Sequence, residues 1–223
     1  MVEYYPKVIG GFTFHMQTIY MSWFTMALVI LIMWLATRRL QYIPTGVQNA
    51  VEMIIDMLNG LMNSSLGDHG RKYMAPFIIT LFMYIFIGNE VGLLPQVFPH
   101  FHFTSPTNDI NTTIGLAAMV VFSVQIIGIM QHGPGYLKHF FSPHPLFFPL
   151  VVIDESAKIV TMGFRLFGNI LAGEILLIIL YLLAPWVVPD IWVLFSLAVG
   201  FLQAFIFSLL TMSHFSSAFR EHH

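Results

Sequence analysis

The sequence contains no cysteine, which excludes disulfide bonds, thiolate metal sites and thiol chemistry. Charge is also scarce, since only 9% of the residues are Asp, Glu, Lys or Arg, against about a quarter in a typical soluble domain. The net charge of -2 gives no indication of nucleic-acid binding. No GxxxxGK[ST] loop occurs, which argues against ATP binding by this chain alone, and we expect no cofactor or metal. The first fifteen residues lack the pattern of a cleavable signal peptide, so we expect the first spanning helix to direct insertion.

Hydrophobic residues, by contrast, make up 57% of the chain. Five runs of them are long enough to cross a bilayer, because a spanning helix needs about 20 apolar residues. The sequence therefore predicts an all-α integral membrane protein with about five transmembrane segments in a single membrane domain, residues 1–223. The predicted spans cover residues 17–38, 73–95, 110–131, 147–184 and 190–219, after an outer N-terminal segment over residues 1–16.

Residues 45–65 have a different, amphipathic pattern. Val51 and Leu58 belong to an apolar helical face, and Glu52 and Asp56 belong to the polar face opposite. Such a pattern predicts a helix that lies in the cytoplasmic interface or against a partner. A short connecting helix without a role of its own is the alternative.

The last two apolar runs are longer than a bilayer requires. From Pro149 to Pro185 a helix would measure about 52 Å, against a hydrocarbon core of about 30 Å. These helices must therefore be strongly tilted or broken. A tilted hairpin packed against a curved partner is the predicted arrangement.

The distribution of cations predicts the orientation in the membrane. If the N-terminus lies outside and the C-terminus lies in the cytoplasm, the cations outside the spans fall almost entirely on the cytoplasmic side, and only Lys7 lies opposite. The residues on the cytoplasmic side are Arg38, Arg39, Arg71, Lys72, Lys138 and Arg220.

The stretch FRLFGNILAGE, residues 164–174, places Arg165, Asn169 and Glu174 inside an apolar span, where ionisable residues are costly and functional by default. At 100° per residue, Asp154, Lys158, Arg165 and Asn169 share one stripe, whereas Glu174 points to the opposite face. Arg165 and Glu174 must therefore serve different surfaces or cavities. Small residues share the face of Arg165, which lets a partner helix come close: Thr161, Gly168 and Ala172.

Arginine remains a cation even in an apolar setting. A carboxylate brought beside Arg165 would release its proton or bound cation, and the same charge would repel cations that pass directly. In the last run, Ser196, Gly200, Gln203 and His214 share a face. An amide there could orient the guanidinium group without neutralising it. These residues predict a device that gates cation passage.

Several of these residues also have structural interpretations. Arg165 could be a buried ion-pair strut, and Lys158 could extend its ammonium group towards the interface. Asp154 and Glu155 could lie among lipid headgroups. Asp109 could be a plain helix N-cap, with Asn108 as its rival. His100, His102 and His214 could be ordinary structural or surface residues.

The chain resembles subunit a of the F-type ATP synthase membrane sector. FRLFGNILAGE and LQAFIF carry this resemblance most specifically, and GNEVGLLP and PTNDINTT agree with it. The resemblance implies a stator that holds two aqueous half-channels against the rotating ring of c subunits and couples H⁺ or Na⁺ flow to ATP synthesis. It further implies contacts with the peripheral-stalk b subunits and membrane lipid, no bound nucleic acid, and ATP chemistry on other subunits. A bacterial inner membrane is the expected location.

The resemblance also assigns roles to single residues. Arg165 matches the essential arginine that faces the ring carboxylates. Asn169, Glu174 and Gln203 match outer half-channel and arginine-supporting positions, and Asp109 matches the outer entrance.

The chain departs from the family pattern at both ends of the expected pathway. Val151 replaces an inner carboxylate, so Asp154, Glu155 or Lys158 is expected to line the inner exit. Ser196 stands where some members have a histidine paired with the glutamate, so water or an outer-loop histidine would substitute.

Two other functions compete with this interpretation. A stand-alone ion channel or secondary transporter would predict an internal inverted repeat, which the sequence lacks. An intramembrane enzyme would predict a catalytic motif, but neither HExxH nor GxSxG occurs.

Overall fold

The computed structural model describes residues 6–9, 12–94, 103–133 and 148–220, with side chains described from residue 15 onwards except at residues 132 and 217–220. Lys138, His100 and His102 lie outside the described residues. Within them, five α-helices are long and apolar enough to cross a membrane, which confirms the predicted all-α membrane protein. The helices are α1 (Met16–Thr37), α2 (Val47–Val91), α3 (Ile110–His132), α4 (Phe148–Leu183) and α5 (Val188–Arg220).

A short antiparallel hairpin precedes the first helix. Strand β1 (Pro6–Ile9) pairs with β2 (Phe12–His15), and β2 continues directly into α1. The sequence analysis predicted only an outer segment here, because four-residue strands are too short to show a clear periodicity.

Helix α2 joins two segments that the sequence analysis separated, residues 45–65 and 73–95. The only interruption within α2 is Gly67, whose backbone has φ 69° and ψ 176°. Glycine adopts this conformation readily because it has no Cβ atom. In the first segment, Val51, Leu58 and Met62 are buried, so the apolar face of the amphipathic pattern packs inside the chain itself.

The hydrophobic core lies where α2 packs against α1 and α5, and it continues into the contact between α3 and α4. Phenylalanine rings fill the contact between α2 and α5: the centroids of Phe82 and Phe201 lie 5.7 Å apart, as do those of Phe77 and Phe215. These edge-to-face contacts fix the depth of α5 relative to α2.

Helix α4 is much less covered by the rest of the chain than α2. Only 6% of its most apolar 18-residue window is buried, against 56% for α2. With 36 residues, α4 is about 54 Å long, well beyond the hydrocarbon thickness of about 30 Å. A long apolar surface of α4 is therefore left for lipid or for another protein.

Candidate functional site

Two separate cavities lie along α4 and α5. The first, here called the glutamate cavity, has a volume of about 330 Å³ and contains Glu174 in its wall. Its polar wall combines α4 and α5 with the end of α2 and the loop before α3. The polar and small residues that line it include Asn89, Ser105, Asn169, Gly173, Glu174, Ser196 and Gly200.

The second, here called the arginine cavity, has a volume of about 230 Å³ and shares no residue with the first. It occupies the other part of the same helix pair. Its lining consists of Asp154, Ala157, Lys158, Thr161, Met162, Arg165, Leu210 and His214. Arg165 and Glu174 thus line different cavities, in agreement with the expectation from their spacing.

Arg165 is an exposed cation without an internal counter-ion. Its side chain lies at the edge of the arginine cavity. Within the described part of the chain it takes part in no hydrogen bond or ion pair, so it is not a strut between two helices of this subunit. Its charge remains available to a group outside the chain.

Gln203 carries the amide that the sequence analysis expected to orient Arg165. The side chain is buried in α5, and its Nε2 atom meets no acceptor among the described residues. Arginine can only donate, so a bond to Arg165 would use Gln203 Oε1, and no such bond occurs among the described residues.

Lys158 differs from Arg165 because it is paired. Its Nζ atom lies 3.1 Å from the Asp154 carboxylate and 2.7 Å from that of Glu155, one turn away on the same helix. The cation is thus held at the protein surface by two anions, rather than extending alone towards the interface.

Glu174 receives a contact from a distant part of the chain. The Asn108 amide donates to Glu174 Oε2 over 2.5 Å. Asn108 ends a 3-10 helix, Pro106–Asn108, that precedes α3. This bond ties the loop before α3 to α4 at the glutamate cavity.

Asp109 is the N-cap of α3, which was the structural interpretation of this residue. Its rival for that position, Asn108, instead donates to Glu174. The Asp109 carboxylate accepts from the Asn111 backbone N–H at 2.9 Å, and its other oxygen lies 2.8 Å from His15 Nδ1. Burial alone would raise the pKa of Asp109, but the bonds from Asn111 and His15 outweigh burial and hold that pKa below its usual value. Asp109 therefore fixes the start of α3 against the hairpin and α1.

Sequence reasoning missed a buried polar network at the end of α2. The Thr107 hydroxyl donates to Asn89 Oδ1 at 2.8 Å, and Ser105 donates to the Gly88 carbonyl at 2.8 Å. The neighbouring Glu90 was also missed. The motif GNEVGLLP held the signal, because an amide and a carboxylate at the end of an apolar span are candidates by the same rule that selected Arg165.

Polar side chains that line cavities between apolar spans define a class: a multi-span membrane protein whose polar sites suit the passage of small ions. No cluster of metal-ligating residues occurs in the described ranges.

Residues 19–216 match the family described as ATP synthase A chain. ATP synthase subunit a 3 of Pelobacter propionicus is 38% identical over 206 residues, 91% of this chain and 87% of the relative. ATP synthase subunit a of Moorella thermoacetica is 37% identical over 207 residues, which cover 92% of this chain and 92% of the relative. The chain therefore belongs to the ATP synthase A chain family. It is a membrane subunit that serves ATP synthesis and ion transport in the membrane sector of an F-type ATP synthase, together with other subunits.

Proposed function

We propose that the glutamate cavity and the arginine cavity are the two half-channels of this ATP synthase, and that Arg165 separates them. The glutamate cavity opens to the outside, the arginine cavity opens to the cytoplasm, and the N-terminus lies outside. Ions enter past Asp109 and Glu174, bind a carboxylate of the rotating c-ring, and leave inwards beside Arg165. The membrane is the bacterial inner membrane.

The observation that carries this proposal is the boundary between the cavities on α4. The arginine cavity ends at Arg165 and the glutamate cavity begins at Asn169, a rise of about 6 Å along the helix. An ion that crossed directly would have to pass the unpaired cation of Arg165, which repels it. A continuous pore, as expected of a stand-alone channel, would not need two cavities.

The surface around Arg165 supports a ring on this side of α4. Thr161, Gly168 and Ala172 are exposed beside the arginine and leave a shallow strip. A carboxylic acid that rotates into this strip meets a fixed cation, which favours its charged form and releases its proton. The released proton leaves through the arginine cavity to the cytoplasm, and each charge that crosses 100 mV supplies about 2.3 kcal/mol.

The inner exit follows from the charges that line the arginine cavity. Lys158 is paired with Asp154 and Glu155, so its charge is offset and Arg165 alone acts on the ring. Asp154 and His214 also line this cavity and provide polar groups for the departing ion. In the glutamate cavity the Asn108 amide holds Glu174, and Ser196 lines the wall where some family members have a histidine.

Single cysteines test the two openings directly, because the chain has no native cysteine. We expect Asn169→Cys to react with a small, charged, membrane-impermeant thiosulfonate from the outer side only, and Thr161→Cys from the cytoplasmic side only. Ser156→Cys is the control, since Ser156 is exposed on α4 but lies on the opposite face of the helix, about two and a half turns before Arg165. Right-side-out and inverted vesicles give the two sides. Labelling of both cavities from the same side would contradict the half-channels.

A further inference from the structure

Glu90 is a carboxylate that the half-channels described above do not use. It lies one residue before the end of α2, inside a helix long and apolar enough to span the membrane. Both carboxylate oxygens are buried, and neither has a hydrogen-bond partner among the described residues. A buried carboxylate without a partner is costly when charged, so it is retained only where it binds a proton or an arriving cation.

The carboxyl group of Glu90 packs directly on the backbone of α5. A Cβ atom added to Gly200 would lie 2.7 Å from Glu90 Oε1, so the oxygen occupies space that only glycine leaves free. Gly200 also lines the glutamate cavity. Asn89, the residue before Glu90, lines the same cavity and donates to the Gly200 carbonyl at 3.4 Å. Glu90 therefore lies against the wall of the glutamate cavity.

The same face of α5 carries a second buried polar group with unused hydrogen-bonding capacity. Gln203 lies one helical turn beyond Gly200, and its buried Nε2 donor has no acceptor in the described part of the chain. The unsatisfied carboxylate of Glu90 thus lies against α5 at Gly200, and the unsatisfied amide donor of Gln203 lies on α5 one turn further along. Unsatisfied groups of this kind usually have a partner such as water or a transferred proton.

We propose that Glu90 is a second proton-binding residue of the glutamate cavity, next to Glu174. A hydronium ion in the cavity transfers its proton to the Glu90 carboxylate, which gives a neutral carboxylic acid and water. Transfer of that proton to another water restores the carboxylate. This inference rests on the proposed half-channels and adds a relay that faces α5, on the side of Gln203.

The test measures ATP-driven proton uptake in inverted vesicles that contain the whole complex, with assembly judged by membrane-bound ATPase content. Glu90→Gln keeps the shape of the side chain but cannot bind a proton, and we expect it to lower the uptake rate about tenfold or more. Glu90→Asp retains the carboxyl group and should retain more of the rate. Asp56→Asn, the same carboxylate-to-amide change at an exposed position of α2, is the matched control and should pump as the wild type does.

Gly200→Ala provides an independent test, because the new methyl group displaces the Glu90 carboxyl without removing it. We expect it to slow uptake in the wild-type background and to add no further loss in the Glu90→Gln background. If Glu90→Gln does not assemble, Gly200→Ala decides: an uptake rate equal to that of the wild type overturns the inference.

The outcomes separate this inference from the function on which it rests. Normal uptake in Glu90→Gln, beside normal uptake in the wild type, overturns the role of Glu90 and leaves the half-channels intact. An assembled wild-type complex that takes up sodium ions in place of protons overturns proton binding at Glu90 and leaves the half-channels intact, whereas one that takes up neither ion overturns both.

Discussion

The two cations of α4, Lys158 and Arg165, differ above all in whether they have ion-pair partners within the chain. Lys158 and Arg165 lie two turns apart on one stripe and line the same cavity, yet Lys158 has two carboxylates beside it and Arg165 has none in the described chain. The charge of the paired lysine is offset by the two carboxylates beside it. The unpaired arginine retains a charge that is available to a group outside the chain.

Asp109 allows the role of a helix cap to be separated from the role of a charge. Asparagine caps helices about as well as aspartate, so Asp109→Asn loses mainly the charged contact with His15, whereas Asp109→Ala also loses the cap, at a cost of about 1 kcal/mol. We expect the thermal midpoint of this subunit in the purified complex to fall in the order wild type, Asn variant, Ala variant at pH 7.

The dependence on pH has a definite sign at Asp109. The folded chain lowers the pKa of Asp109, so the carboxylate stabilises the fold above its ordinary pKa of about 3.9 and that stabilisation is lost as the pH falls through the lower, folded pKa. The difference between wild type and Asp109→Asn should therefore shrink below about pH 4. A difference that grows on acidification would contradict this role.

The sequence was sufficient to select most of the charged residues of the site, but not to predict the contacts that they make. Arg165 and Glu174 stand out because apolar spans seldom carry charges. The bonds from His15 to Asp109 and from Asn108 to Glu174 join residues far apart in the sequence, and no local pattern encodes such pairs.

Among the helices, α2 shows how one residue can redirect a long element. Gly67 is the only non-helical residue between Val47 and Val91, and its positive φ lets the amphipathic segment and the apolar segment follow different axes. The sequence indicated both segments through their different periodicities. It did not identify Gly67, because Gly60 and Gly70 lie in the same helix and only the backbone distinguishes the three.

The same substitution should have opposite effects at two glycines of α2. Gly67→Ala forces a Cβ atom into a left-handed conformation and should destabilise the subunit by about 1–2 kcal/mol. Gly60 is helical, with nothing within 4 Å of an added Cβ, so Gly60→Ala should stabilise by about 0.5–1 kcal/mol. Thermal midpoints of the purified complex in detergent compare the two. Equal effects at both positions would show that the break at Gly67 is not required.

In the whole molecule, the uneven burial of the helices agrees with a subunit built around a partner. Helix α2 is packed on several sides, whereas α4, which carries Arg165 and both cavity walls, is almost bare. The apolar runs were sufficient to predict five spanning helices. The cavities depend on how α4 and α5 pack, which residue spacing along one helix does not determine.

The central claim is that Arg165 is the fixed charge that couples ion flow to the ring. The direct measurement is ATP-driven proton uptake by inverted vesicles that carry Arg165→Ala, with Arg39→Ala as a control for the loss of an exposed cation outside the cavities and with ATPase content as the check on assembly. Sodium transport in place of proton uptake by the wild type would change the ion and keep the mechanism. The account predicts that Arg165→Ala assembles normally and takes up no ions while Arg39→Ala behaves as wild type. Uptake retained in Arg165→Ala would contradict it.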